Sequence, residues 1–89
     1  MYLHLGQDTV IKIDEVVGIF DLDTATISKI SRNYLTRAEK SGIVVNVSME
    51  LPKSFVVCVT NGREQVYISQ ISSATLLKRT GYMEEIANV

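Results

Sequence analysis

The chain has 89 residues, a formal net charge of −1 and hydrophobic residues at 46% of its positions. A chain this short is expected to form a single domain over residues 1–89, with a small core and a thin margin of stability. The near-zero charge excludes a polycation, so binding to nucleic acid would need a local basic patch. The sequence contains one cysteine and no run approaching the roughly 18 apolar residues of a membrane span. We therefore expect a cytoplasmic protein without a disulfide framework or membrane contact.

The opening of the chain predicts three strands. Residues 2–5 and 9–13 read as a hairpin, because the turn-forming stretch Gly6-Gln7-Asp8 separates them. A third strand is predicted over residues 16–20, where Gly18 leaves room for a bulge or a close neighbour.

Residues 24–42 have the clearest helical period in the sequence. Apolar residues recur there at i, i+3, i+7, i+8 and i+11, which gathers them on one side of a helix: Ile27, Ile30, Tyr34, Leu35 and Ala38. The opposite side is basic. Asp23 or Thr24 can cap the first turn, and Gly42 stands where a left-handed residue would end the helix. On pattern alone, such a charged face is more often simply solvated than functional.

The second half of the chain predicts three more strands and a short helix. Residues 43–47 and 54–60 are apolar at nearly every position, with Pro52 marking the loop between them. Asn61-Gly62 is a strong hairpin signal, so residues 64–70 should return antiparallel. Ser72 and Ser73 can cap a helix over residues 74–80, and residues 82–89 add a helical turn or fray.

These elements predict an α+β fold. We expect a small mixed, mostly antiparallel sheet with one long amphipathic helix and a short C-terminal helix. Strands 43–47 and 54–60 are apolar on both faces, so Val44, Val56 and Cys58 need a second cover. The short helix could supply it, but a neighbouring copy is the better cover. Contact through two different surfaces of one subunit closes into a ring, so a homo-oligomeric ring is expected.

Catalysis is not expected, because reactive groups do not converge in the sequence. His4 is the lone histidine, and a structural role is expected for it. Cys58 stands mid-strand between valines and reads as a buried small residue. Asp14-Glu15 and Glu84-Glu85 are adjacent pairs whose side chains do not face one another. We expect no cofactor, no metal and no small-molecule substrate.

The remaining functional signal is positive charge on the predicted surface. Lys and Arg side chains on phosphates give sequence-independent, salt-sensitive affinity, and repeated copies in a ring would present a continuous basic band. The candidate contacts for double-stranded DNA are Lys29, Arg32, Arg37, Lys40, Lys53, Lys78 and Arg79.

Three stretches carry a resemblance to a known family. MYLHLGQDTVIKIDEVVGIFD, PKSFVVCVTNG and SSATLLKR resemble the bacterial extracellular-matrix regulators of the RemA/RemB family, and the match is closest to the RemB type. The resemblance spans nearly the whole chain. It implies a small α/β domain that assembles into rings and regulates genes for biofilm matrix; the RemA type is a DNA-binding transcriptional activator.

The sequence departs from the RemA type at the arginines that this type would use on phosphate. It has Glu15 where RemA-like chains carry an arginine, and Glu50-Leu51-Pro52 where they carry Gly-Arg-Arg. Two hypotheses follow. In the first, the protein is a DNA-associated regulator, as family membership favours. In the second, it is an oligomeric protein-interaction module with little DNA binding of its own, as the absent arginines favour.

Overall fold

A computed structural model describes residues 1–22 and 29–81 of the chain, and only the backbone of residues 29 and 30. A single turn of 3-10 helix, Ile13–Glu15, separates the second and third strands. In chain order the elements are β1 (Tyr2–Gly6), β2 (Thr9–Lys12), β3 (Val16–Asp21), α1 (Lys29–Lys40), β4 (Val44–Asn46), β5 (Ser54–Thr60), β6 (Arg63–Ser69) and α2 (Ser73–Arg79).

The six strands of the described residues form two sheets. Within these residues, β1 and β2 pair only with each other, as an antiparallel hairpin. The other four form the main sheet in the order β3-β5-β6-β4. β4 runs parallel to β6, and the other pairs in this sheet are antiparallel. β5 and β6 are therefore the inner strands of the main sheet.

Each face of the main sheet carries its own apolar core. Alternate side chains of a strand point to opposite faces. Phe55 and Val57 of β5 are buried with Ala38 of α1 on one face. Val56 and Cys58 are buried on the other face, beneath the β1-β2 hairpin and α2. The chain thus folds as three layers, with α1 on one side of the main sheet and the hairpin and α2 on the other.

The predicted fold class is wrong, because the described chain is mainly β and has no long amphipathic helix. The helical period of residues 24–42 corresponds to an α1 of 12 residues, and residues 23–28 lie outside the described part. The hairpin was also expected to belong to one common sheet. It packs face-on against the main sheet, and alternating apolar residues cannot distinguish packing on a face from pairing at an edge.

The structure also corrects the argument that a neighbouring copy is the better cover for the second face. Val56 is 0% exposed and Cys58 is 2% exposed within one chain. Leu3 and Leu5 of the hairpin and Leu76 of α2 complete this core and are themselves fully buried. The hairpin supplies the cover that was attributed to a neighbouring copy. Its sequence pattern did not reveal where it would lie in the tertiary structure.

Local turn and cap signals are confirmed. Asn61 and Gly62 have φ of 52° and 77°, the left-handed conformation that a tight hairpin needs. Gly42 follows α1 with φ of 75°. The Ser72 side chain accepts a hydrogen bond from the Thr75 backbone N–H at 3.2 Å and so caps α2.

A buried serine ties the hairpin to the main sheet. Ser69, at the end of β6, is 0% exposed, and its hydroxyl donates to the Leu5 carbonyl at 2.7 Å. The same hydroxyl oxygen accepts a hydrogen bond from the Ile71 backbone N–H at 3.0 Å. Losing the hydroxyl would remove a buried partner from each of these backbone groups.

We predict that Ser69→Ala lowers the free energy of unfolding by about 1–3 kcal/mol, the cost of leaving buried backbone groups without partners. Urea unfolding followed by circular dichroism measures this change. Ser41→Ala, at an exposed position after α1, is the matched control and should stay within about 0.5 kcal/mol of the parent. Equal effects of the two substitutions would contradict the role assigned to Ser69.

Candidate nucleic-acid interface

The outer face of α1 carries three of the seven predicted phosphate contacts. Tyr34, Leu35 and Ala38 pack against the main sheet, which directs the other side of the helix to solvent. Arg32, Arg37 and Lys40 are all exposed on that outer face. Lys29 is the first residue of α1, and its side chain lies outside the described part of the structure.

The basic residues of α1 are spread along its length, with Lys29 and Arg32 in its first half. Arg37 and Lys40 lie in the last turn, where the helix dipole favours cations. Glu39 is exposed in the same turn, and the first turn holds no acidic residue. The outer face therefore presents three described cations against one carboxylate, within about 12 Å of helix length from Arg32 to Lys40.

Lys78 and Arg79 lie on the other side of the protein. They end α2, which packs through Leu76 on the hairpin side of the main sheet, opposite α1. Arg79 donates from Nη1 to the His4 carbonyl at 3.0 Å and so links α2 to β1. Both side chains are exposed, but one protomer cannot present them on the same surface as the outer face of α1.

Lys53 occupies a third position, at the end of the main sheet. Its backbone N–H donates to the Ser69 carbonyl and its carbonyl accepts from Leu22, each at 2.8 Å. The side chain is exposed. The predicted contacts are thus divided among the outer face of α1, the end of α2 and the start of β5.

Sequence reasoning missed an apolar groove between α1 and β3, which we call the helix-side groove. Val17, Phe20 and Val59 line it and are 66%, 41% and 41% exposed. The Phe20 ring stacks on Phe55 with centroids 4.8 Å apart. The groove exists because α1 covers the face over β5, β6 and β4 but leaves β3 open. The sequence feature that could have indicated this groove is that β3 has apolar residues on both of its faces.

A hydrogen bond between α1 and β6 borders the groove. The Tyr34 hydroxyl of α1 donates to the Glu64 carboxylate of β6. Burial, together with the hydrogen bond and the negative charge of Glu64, raises the pKa of Tyr34 to about 12. Thirty positions separate the two residues in the chain, so no local pattern could have predicted their contact.

Comparison with known proteins establishes the family. The model of a family described as RemA-like, extracellular matrix regulatory protein A-like, matches residues 2–80. The chain belongs to the RemA-like family. It is also 43% identical over 86 residues to extracellular matrix regulatory protein B of Bacillus subtilis (strain 168), covering 97% of this chain and 98% of that protein. The predicted family, and its RemB type, are confirmed.

The positions at which this RemA-like chain departs from the arginine pattern differ in their surroundings. Glu15 is half-buried in the 3-10 turn, and its charge acts on Cys58. Leu51 is 78% exposed and its neighbour Met49 is 102% exposed, both in the loop between β4 and β5. This RemA-like protein therefore presents apolar side chains on that loop.

His4 and Cys58 are held in ways that fit structural roles. The His4 ring lies with Nε2 2.8 Å from the Gln7 carbonyl, within the hairpin turn. Burial, and secondarily the charge of Glu15, raises the pKa of the Cys58 thiol to about 11. Cys58 is buried, as its pattern predicted. Among the described residues, no helix is long and apolar enough to cross a membrane.

We predict that Cys58 resists alkylation by iodoacetamide at pH 8 while the protein is folded, because both burial and the raised pKa deplete the reactive thiolate. Because its folded pKa exceeds the unfolded value, Cys58 contributes stability that is present below about pH 8.5 and is lost as pH rises towards 11. Mass spectrometry in native buffer and in urea measures the modified fraction. Equal labelling in both would contradict this prediction.

Proposed function

We propose that this chain regulates the expression of extracellular-matrix genes as a cytoplasmic homo-oligomeric ring that contacts DNA phosphates through the outer face of α1. Membership of the RemA-like family and the name of the Bacillus subtilis relative support the matrix-regulating part. The observation that carries the DNA part is that Arg32, Arg37 and Lys40 are all exposed on α1, away from the side that packs on the main sheet. Such groups bind the phosphate backbone regardless of base sequence.

The outer face of α1 is the better candidate surface for two reasons. It carries three described cations, whereas the end of α2 carries two. One of those two, Arg79, already donates to the His4 carbonyl. α1 is also fixed on the main sheet by Tyr34, Leu35 and Ala38, so its cations have a defined spacing. Both surfaces can contribute only if DNA meets more than one protomer.

Assembly is needed because the cations on one protomer are few. Three or four phosphate contacts give weak binding at physiological salt, and the net charge of −1 provides no long-range attraction. A ring repeats the outer face of α1 once per copy. Linked contacts then raise the apparent affinity without any new contact within a copy.

A non-catalytic role is part of the proposal. The Cys58 thiol is buried and has a raised pKa, which disfavours the thiolate that a nucleophile requires. The His4 ring is engaged with the Gln7 carbonyl on the hairpin. The proposed activity therefore depends on surface charge and assembly rather than on chemistry at a reactive side chain.

We predict that Arg37→Gln weakens binding to duplex DNA of any sequence and reduces the slope of log K against log salt by about one, the change expected for one lost phosphate contact. Lys78→Gln should change the slope less. Lys12→Gln removes an exposed cation from the hairpin on the opposite side of the main sheet and is the matched control. A salt-titrated mobility-shift assay measures all three.

A second function has a specific observation in its favour. The helix-side groove and the exposed loop residues Met49 and Leu51 are apolar, as expected of an oligomeric protein-interaction module with little or no DNA binding. The same assay distinguishes the two functions. If the parent protein does not retard duplex DNA at roughly 50 mM salt, the favourable end of the usual range, the interaction module is the better description.

A further inference from the structure

The loop between β4 and β5 projects from a fixed base. The backbone N–H groups of Val47 and Lys53 donate to the carbonyls of the last two residues of β6, at 2.9 and 2.8 Å. Between these anchors, the Ser48 hydroxyl accepts a hydrogen bond from the Glu50 backbone N–H at 3.0 Å. We call residues 48–52 the β4-β5 ridge. Because its backbone is already bonded at both ends, a partner that binds the ridge has less chain to order.

The β4-β5 ridge presents apolar side chains on both sides of one carboxylate. Met49 is 102% exposed and Leu51 is 78% exposed. Glu50 stands between them in the chain and is also exposed. Large apolar side chains with this exposure gain free energy when another surface buries them. The ridge is therefore suited to a partner that is apolar at its margin and charged at its centre.

Two clefts border the β4-β5 ridge. The first has a volume of about 300 Å³ and lies between the ridge and the end of β6. The second has a volume of about 420 Å³ and lies between the ridge and the turn of the β1-β2 hairpin, at Gln7. Among the described residues that line either cleft, Glu50 alone is charged, and Lys53 lines neither. The other polar groups of the first cleft are the side-chain amides and hydroxyls of Asn46, Ser48, Ser69 and Gln70.

An unpartnered acceptor in the first cleft favours a ligand that donates hydrogen bonds. Gln70 Oε1 is buried and, within the described part of the chain, has no hydrogen-bond partner. A Cβ at Gly6 would lie 2.7 Å from both Oε1 and Nε2 of this amide, so only glycine leaves room for it. The last torsion of a glutamine side chain is soft, and a turn about it brings Oε1 towards the cleft. A donor placed there would relieve the cost of a buried acceptor without a partner.

We infer that the β4-β5 ridge and the first cleft bind a basic, apolar segment of a partner protein, with an arginine side chain in the cleft. The guanidinium pairs with the Glu50 carboxylate, and its remaining N–H groups face the side-chain oxygens of Asn46 and Gln70. A guanidinium has five donors and no acceptor, which matches one carboxylate beside several amide oxygens. Apolar residues next to the arginine pack on Met49 and Leu51. A phosphate is disfavoured in this cleft, because it would meet a carboxylate and no cation.

This surface is separate from the outer face of α1. The ridge follows β4, whereas the cations that we propose for DNA belong to α1. The inference deepens the second function and rests on the same apolar loop, and it does not require α1 to contact DNA. Its test can therefore be carried out without DNA.

The binding of a synthetic peptide tests this inference. The probe is the fluorescein-labelled peptide Leu-Arg-Leu-Leu-Arg-Leu, and its control carries citrulline in place of each arginine, which keeps the shape and removes the charge. Fluorescence anisotropy at roughly 150 mM salt, where long-range attraction is screened, measures both affinities. The parent protein should bind the arginine peptide about tenfold more tightly than the citrulline peptide, because hydrogen bonds between charged partners are the strong ones.

Protein variants assign this preference to the ridge. Glu50→Gln should abolish the preference for arginine over citrulline, since it removes the charge and keeps the size of the side chain. Glu39→Gln, at an exposed carboxylate of α1, is the matched control and should keep the preference. Leu51→Ser should weaken the binding of both peptides roughly three- to tenfold. Val10→Ser, at an exposed apolar position of the hairpin, should leave both affinities unchanged.

Backbone amide NMR locates the bound peptide. The arginine peptide should shift the resonances of the β4-β5 ridge, Gln7 and Gln70, and leave those of the helix-side groove in place. Thermal melting verifies that each variant is folded, and the citrulline peptide tests the role of charge without any change to the protein. Shifts centred on the helix-side groove would contradict the site that we assign.

The remaining outcomes separate this inference from the proposed function. A Kd weaker than roughly 1 mM for the arginine peptide, equal affinity for the two peptides, or a preference that survives Glu50→Gln would each overturn the inference. A parent protein that gives one of these results and still retards duplex DNA would keep the proposed DNA contact. A parent protein that binds the arginine peptide through Glu50 but does not retard DNA would keep this inference and lose the DNA contact.

Discussion

The burial of β5 on both faces is the constraint on which the rest of the structure depends. Five consecutive residues, from Ser54 to Cys58, are buried, so each face of the strand must be covered by another layer. α1 covers Phe55 and Val57, and the hairpin with α2 covers Val56 and Cys58. Hydrogen bonds from Ser54 to the Ile71 carbonyl and from Ser69 to the Leu5 carbonyl, each at 2.7 Å, connect the ends of these layers. A chain of 89 residues can form only a small core. Nearly all of its other elements are therefore needed to cover the two faces of β5.

This layered arrangement decides how positive charge is distributed. The two helices lie on opposite faces of the main sheet, so the cations of α1 and those of α2 point away from each other. A protein with a net charge of −1 then has several small basic surfaces rather than one large one. Effective binding to a long polyanion therefore depends on repetition between copies more than on any single protomer. The same arrangement leaves β3 incompletely covered, because the described part of α1 packs over β5, β6 and β4. Charge and apolar surface are thus both consistent with the assembly that we propose.

The two functional hypotheses differ in what the assembly does. The exposed apolar pair Met49 and Leu51 lies on the loop where the resemblance to RemA-like proteins implies phosphate-binding arginines. An apolar side chain at this position cannot form a favourable contact with phosphate, but it can be buried against an apolar protein surface. The basic outer face of α1 is independent of this loop, since it belongs to a different element. A regulator that uses α1 on DNA and the loop on a protein partner would satisfy both observations.

The sequence by itself determined the local features and the family. Asn61-Gly62 predicted the β5-β6 hairpin because only residues that tolerate positive φ fit a tight turn, and Ser72 predicted a cap because its hydroxyl can bond a backbone N–H. Period-2 and period-3.6 patterns identified strands and helices, and the described part of the predicted helix 24–42 is α1. Only the tertiary structure decided which layer covers which face, that the hairpin is a separate sheet, and that Tyr34 meets Glu64. A pattern records which side of an element is apolar but not what lies against it, because packing partners are set by contacts between residues distant in the chain.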